Sequence, residues 1–557
     1  MICAPVQAQL QYDAEQAFNH PSRIIAMKII ILGAGRIGQA VAESLVLERN
    51  DITVIDTNLK LLQELESRFD LRGVVGNGID PVVLSEAGAN DTDLLIACAS
   101  TDETNLACCK IAHMVFRIPV RIARVRSGAW MEDSQLLGPE GFAVDQCLRP
   151  EDSLTRYLSK LVEFPQAMQV REFAEGRAVL TAARARAAAP MTSRTIAEIR
   201  ALNPDLPMRI VAIYRRFADQ PDRFVASEGT TRIEPDDEVF ILTTSDGASE
   251  VLPLLTKPIE APAPTVRRIM IVDGGIVALK LAQLLTQQRK GYYRIKVVER
   301  SREASIALSA KLPEDVLSFN AEATDEDFLE QESIEEVDLL LALSEDDENN
   351  IMTCLLAKRM GAKRVLAMIN QRSYADLMHG TQIDIALTPA QAMLGELFTY
   401  VRQGDVQAVH SLRRGVAEAL ELVVRGDRKT SQVVGKKVAE LKLPRDVHIG
   451  LIVRGMEAPN SAIANQRWIA TAPQDKEDAH ALGSPVASLT VDGALEVQEE
   501  PVVRVDTAET PASHEPEIIF PNRNTVIEAG DHIVFFLPHK RLVREVEKVF
   551  SVKPTFF

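Results

Sequence analysis

The sequence predicts an α/β protein: two doubly wound parallel-sheet domains, each followed by a small α+β lobe. Three observations carry this. Residues 28–38, KIIILGAGRIG, join a run of β-branched apolar residues to glycines spaced G-x-G-x-x-G, with a helix-patterned stretch behind them. The pattern returns at residues 267–285 as RRIMIVDGGIVALKLAQLL. Between these landmarks, short apolar runs alternate with segments of helical period, the order that builds parallel sheets flanked by helices.

Lys28–Leu32 reads as a strand buried on both faces of a parallel sheet. It stops at Gly33, and Ile37, Val41 and Leu45 then recur every four residues, which places a helix behind the loop. In this Rossmann-like setting Gly33 permits the turn and Gly35 lets the backbone approach a pyrophosphate. Gly38 lets the helix pack on the strand, and the helix N-terminus offers N–H groups to phosphate. A second strand, Ile52–Ile55, ends in Asp56, 21 residues past Gly35. A carboxylate there accepts from ribose hydroxyls and repels a 2′-phosphate, so NAD or an adenosine nucleotide is expected, not NADP. The alternative is a glycine turn that only packs a helix on a sheet, with Asp56 as a solvated strand end.

DLLIACASTDETN (93–105) is a buried fourth strand running into a polar turn and a helix, and VRIARV (120–125) is the fifth strand. Asp145 stands five residues before Pro150, where a helix-patterned stretch begins. Proline is favoured at the first helical position.

The second half restates this order. Gly275 matches Gly35, Glu299 closes the strand RIKVV as Asp56 closes ITVI, DLLLALSEDDENN (338–350) matches the acidic turn, and KRVLAMI (363–369) the fifth strand. Asp384 precedes Pro389 by the same five residues. In the first lobe, 176–185, 193–200, 208–216 and 233–244 read as strand, helix, strand and hairpin strand. The second lobe repeats them at 415–424, 431–441, 448–455 and 527–537, with about 55 extra residues rich in Pro, Ser and charge that read as a disordered loop.

Composition narrows the function. Over 557 residues, 25% charged and 46% hydrophobic side chains are ordinary for globular domains, and the net charge of −17 argues against a nucleic-acid partner. No apolar stretch is long enough for a membrane span. The six cysteines show no C-x-x-C spacing and read as buried free thiols of a cytosolic protein.

From about Met27 onward, the order of units and lobes resembles the duplicated RCK/KTN regulatory subunits of Trk potassium-uptake systems. So do the DETN and DDENN turns and the runs FDLRGVVGNGIDPVVLSEAGA, AKRMGAKRV, SLRRGVAEA and NTVIEAGDH. The resemblance implies a first RCK N domain at 27–149, a first RCK C lobe at 166–253, a linker at 254–266, a second, degenerate RCK N domain at 267–387 and a second RCK C lobe at 407–549. The inserted loop spans about 458–516, and residues 1–26 form a disordered extension. It further implies a cytoplasmic protein, peripheral on the cytoplasmic face of the inner membrane, that binds NAD(H) and ATP or ADP. Such a protein forms a homo-oligomeric ring, a tetramer or dimer of dimers, and gates a membrane potassium translocator of the Trk type.

Carried onto this sequence, the first nucleotide site comprises Gly33, Ala34, Gly35, Arg36 and Ile37 for the phosphates, Asp56 for the ribose, Ala99 and Ser100 after strand four, and Arg124 after strand five. Asn77 is a ribose or base neighbour, or a turn residue. Arg36 is alternatively a solvated loop residue and Arg124 the partner of a local carboxylate, while Asp102 and Glu103 read as caps of the following helix. The second, weaker site comprises Asp273, Gly274, Gly275, Ile276, Val277 and Glu299. There Asp273 replaces the first glycine and Ala278 the third, so charge beside the pyrophosphate weakens binding.

No His, Lys or Cys cluster sits at the lobe junctions, and no G-x-x-x-x-G-K-[ST] occurs. A conformational switch with no catalytic or metal site is therefore expected. The alternatives are an NAD-dependent oxidoreductase and, disfavoured by the acidic charge, a redox-sensing DNA regulator.

Overall fold

The structure is a computed structural model that describes residues 27–132, 134–217, 222–258, 265–273, 275–371, 374, 382–402, 405–413, 416–456 and 515–552. The extension 1–26 and most of the inserted loop lie outside the described residues, as does Gly274.

The first unit holds six parallel strands: β1 (Lys28–Leu32), β2 (Asp51–Asp56), β3 (Arg72–Val75), β4 (Leu94–Ala97), β5 (Val120–Arg124) and β6 (Gln146–Leu148). Their order is β3-β2-β1-β4-β5-β6, with Ile30 opposite Thr53 on one side and Leu95 on the other. The chain therefore reverses winding between β1 and β4, the switch point at which doubly wound sheets open a crevice. All of β1 but Lys28 is buried, which is why its sequence is an unbroken apolar run. Helix α1 (Arg36–Val46) follows β1, α2 (Asp102–Met114) follows β4, and α3 (Pro150–Glu163) leaves the unit.

The first lobe is antiparallel: β7 (Gln169–Phe173), β8 (Ala178–Arg184), β9 (Met208–Arg215), β10 (Arg223–Val225) and β11 (Glu238–Thr244), ordered β10-β9-β11-β8-β7. The edge strands β7 and β10 add to the sequence reading. Both carry charged residues typical of edges, which blur the apolar alternation.

The second unit repeats the first: β12 (Arg268–Val272), β13 (Arg294–Glu299), β14 (Leu317–Asn320), β15 (Leu339–Ala342), β16 (Val365–Met368) and β17 (Ile385–Leu387), ordered β14-β13-β12-β15-β16-β17. Its helices include α4 (Gly275–Gln288), α5 (Asp347–Arg359) and the exit helix α6 (Pro389–Val401). The second lobe holds β18 (Val406–Leu412), β19 (Ala417–Val423), β20 (His448–Arg454), β21 (Glu517–Ile519), β22 (His532–Leu537) and helix α7 (Val543–Phe550).

The helix expected over 431–441 does not form. Its counterpart in the first lobe is started by a Thr195–Glu198 capping box, whereas here Gly435 takes φ 80°, Lys437 bridges to Val526, and only a 3-10 turn, Val438–Glu440, remains. β-Branched Val433 and Val434 followed by a glycine also disfavour a helix.

The halves interlock. Helix α3 packs on α4 of the second unit, while α6 packs on α1 of the first and on α3. One core runs from the first lobe through Leu158 and Leu161 to Ile269, Ile271 and Leu281, and another from Ile29, Val41 and Leu45 through Leu397 and Phe398 to Ile533 and Phe535. Each lobe thus shares a core with the other half's parallel-sheet unit, joined to it through the exit helix. Phe173, Phe240, Leu451 and Phe536 join the two lobes in a further core. Polar pairs fix the crossing: Arg156 meets Glu396 at 2.7 Å, Lys280 pairs with Asp152, and buried Arg402 meets Glu48 at 3.1 Å and Glu418 at 2.8 Å.

Candidate functional site

The loop after β1 has the geometry its glycines require. Gly33 stands at φ 100°, and a Cβ there would lie 2.8 Å from the Cys98 carbonyl oxygen. A Cβ on Gly38 would lie 1.8 Å from the Gly33 carbonyl oxygen, so helix and loop approach each other at a distance only glycine allows. At Gly35 a Cβ would meet nothing within 4 Å. Gly35 is the N-cap residue of α1 and offers no side chain, so the first-turn N–H groups are left for an outside acceptor.

Asp56 accepts from Ala34 N at 2.6 Å and from Asn58 N at 2.7 Å, pinning the glycine loop to the end of β2. Each carboxylate oxygen keeps a further lone pair. Asn77 Oδ1 accepts from Ile79 N at 3.3 Å, which is turn geometry. Arg124 Nη2 donates to Glu151 Oε1 at 2.8 Å, and its Nε is buried without an acceptor. Arg36 is exposed and faces Glu345 of the second unit at 3.3 Å.

The repeated acidic turn is a clamp. Buried Asn105 accepts from Ala99 N at 2.8 Å and donates to the Arg124 carbonyl oxygen at 2.9 Å, tying the end of β4 to the end of β5. Asn350 does the same between Ser344 and Met368. Asp102 does not cap α2, contrary to expectation: Thr101 does, because its side chain precedes the first helical residue. Asp102 instead accepts from Arg126 N and Ser127 N, and Asp347 likewise from Asn370 N and Gln371 N.

The two glycine loops open into one cleft of about 1090 Å³ between the units. It is lined by Gly33, Gly35, Arg36, Ile37, Asp56, Asn77, Ala99, Ser100 and Arg124 from the first unit, and by Asp273, Gly275, Ile276, Val277 and Glu299 from the second. Ala34 lies behind the surface, contributing its N–H to Asp56. Sequence reasoning missed Thr57, Thr104, Arg126 and Glu151, and on the far wall Arg300, Ser344 and Asn370. The repeat could have flagged Asn370, which occupies the place of Arg126 after the fifth strand.

The second loop is electrostatically different. Asp273 takes φ 53° where the first unit has a glycine. Burial, with Glu299 beside it, pushes its carboxyl above the usual range. Ala278 is fully buried at the helix–sheet contact. Among the described residues no group of His, Cys, Asp and Glu is arranged to hold a metal ion, and no helix is long and apolar enough to cross a membrane. The described cysteines are free; burial pushes the Cys98 thiol up to about 12 despite nearby Arg124.

Two Rossmann-like units opposed across one cleft, each with an antiparallel lobe, define an RCK-type protein. In fold the chain resembles the GsuK channel (16% identity, 97% of this chain and 82% of that one, TM-score 0.54) and the GsuK channel bound to NAD (15% identity, the same coverage, TM-score 0.52). The TrkA-N domain family matches residues 29–138 and 269–389. The Trk system potassium uptake proteins TrkA of Vibrio alginolyticus and Halomonas elongata are each 38% identical over 531 residues, 95% of this chain and 100% of theirs. That of Haemophilus influenzae is 34% identical over the same span. The chain belongs to this TrkA family.

Proposed function

We propose that this chain is the nucleotide-sensing regulatory subunit of a Trk-type potassium uptake system, switching conformation with bound NAD(H) or ATP/ADP and so gating a membrane potassium translocator. The observation that carries this is the cleft. An uncapped helix N-terminus, open space at Gly35 and the Arg124 side chain border one cavity whose opposite wall belongs to the other unit. These residues fit a dinucleotide or triphosphate: N–H groups of Gly35, Arg36 and Ile37 and the Arg124 guanidinium for phosphate, and the spare lone pairs of Asp56 for ribose. Asn77, Ala99 and Ser100 border the sugar or base. The second loop, with Asp273 and Glu299 adjacent, binds weakly or not at all.

The ligand supplies binding energy and no bond chemistry. A ligand shifts an equilibrium only by its differential affinity for two states, typically about 1–3 kcal/mol. A nucleotide touching both walls has that differential, because its contacts change when the units move. In this reading 27–149 and 267–387 are the sensing domains and 166–253 and 407–549 the lobes. The chain works as a homo-oligomeric ring on the cytoplasmic face of the membrane, and it is not an enzyme. The test is potassium flux in vesicles carrying the translocator with this chain, with NADH, NAD, ATP or ADP added. Flux should depend on the nucleotide with the wild-type chain and lose that dependence with Gly35→Asp. An equal response from both chains would refute the proposal.

A further inference from the structure

A second, larger cavity of about 1960 Å³ lies at the other end of the second parallel sheet, where β12, β15, β16 and β17 begin, and its facing wall is the first lobe. Most carboxylates on its walls are matched. Glu238 meets Arg413 at 2.9 Å, Asp338 meets Lys363 at 2.7 Å, Asp384 meets Lys358 at 2.8 Å, Glu336 pairs with Arg268, and Asp222 stands 4.0 Å from Arg216. Asp236 makes no ion pair among the described residues. The cations Arg171, Arg184, Arg186 and Arg364 also line the cavity, and among the described residues none has a carboxylate at ion-pair distance.

Three donors bordering the cavity are buried without an acceptor: Arg171 Nε and Gln166 Nε2 on the first-lobe side, and Arg364 Nη1 just before β16 on the sheet side. Arg171 is 7% exposed, and its guanidinium lies over the Tyr157 ring at 4.4 Å, which fixes its plane. Arg364 spends its other terminal nitrogen on the Ala167 carbonyl oxygen. An unmet buried donor costs about 1–3 kcal/mol and a charged one more, so three around one cavity call for an acceptor from outside the chain, water or an anion. In a chain of net charge −17, surplus guanidinium groups in a concave site concentrate anions. Arginine rather than lysine selects planar, multidentate oxyanions.

We infer that this cavity is an anion site separate from the glycine-loop cleft, taking a phosphate-bearing small molecule through Arg171, Arg364 and Gln166, with Arg184 and Arg186 at its rim. An occupant there would bridge the first lobe and the second unit.

The test is isothermal titration of inorganic tripolyphosphate into the full chain carrying Gly35→Asp, which blocks the glycine-loop cleft and makes the result independent of the function proposed above. Binding should persist in that chain. It should weaken about tenfold or more when Arg171→Gln and Arg364→Gln are added, and severalfold with Arg184→Gln and Arg186→Gln, which alter only the rim. The rim pair decides the matter if the buried pair does not fold. Tripolyphosphate binding abolished by Gly35→Asp alone, or indifferent to both arginine pairs, would overturn the inference.

Discussion

Arg124, at the carboxyl end of β5, donates to Glu151 at 2.8 Å and thereby ties the floor of the cleft to the first turn of α3. That helix is the element packed on the second unit. On the function proposed above, a phosphate entering the cleft would compete with Glu151 for the same guanidinium, which would link occupancy to the hold on α3. Arg124→Ala should weaken NADH or ATP binding by about tenfold, roughly 1.4 kcal/mol. Glu151→Gln, which releases the guanidinium, should tighten binding severalfold. Titration calorimetry on both variants checks the opposite signs.

Gly35, the N-cap of α1, and Gly38 in its first turn separate binding from stability. Gly35→Asp places a carboxylate at an N-cap position with free space around it, so it caps α1 from within and takes the place of the phosphate. Nucleotide binding should vanish while the melting temperature holds or rises. Gly38→Ala forces a methyl group to 1.8 Å from the Gly33 carbonyl oxygen, and separation of helix and loop should cost about 3 kcal/mol or more. Thermal unfolding of the pair distinguishes the two roles.

A pH dependence follows from Glu547 on α7. Burial pushes its carboxyl from 4.5 up to about 7, with Arg402 and Arg544 pulling it down and Glu48 and Glu418 pushing it up. Between those values the folded chain keeps a proton that the unfolded chain releases. The stabilisation from this group is full below about pH 4.5 and is lost as pH rises through about 7. Melting temperatures compared at about pH 5.5 and pH 8 should fall less in Glu547→Gln than in the wild type.

The parallel sheets were legible because strands buried on both faces must be apolar throughout, as in Lys28–Leu32, and because the tight strand-to-helix turn needs glycine where Gly33 and Gly38 stand. The repeat made the second unit legible in turn. The exchange of lobes between halves was not legible, since Leu158 and Leu397 have the same apolar character whichever sheet they cover. Nor was the common cleft: Arg124 and Glu151 are 27 positions apart, and nothing local says which carboxylate a guanidinium will meet. The DETN motif was seen as a repeat, but its clamp role depends on a strand end 19 residues from Asn105.

Amide hydrogen exchange over residues 150–163, with and without saturating NADH or ATP, tests most directly whether occupancy of the cleft loosens the link between the units. Exchange in the first turn of α3, around Glu151–Ser153, should accelerate on nucleotide binding in the wild-type chain and stay constant in Gly35→Asp. Calorimetrically verified binding that leaves this turn unchanged would contradict the switch.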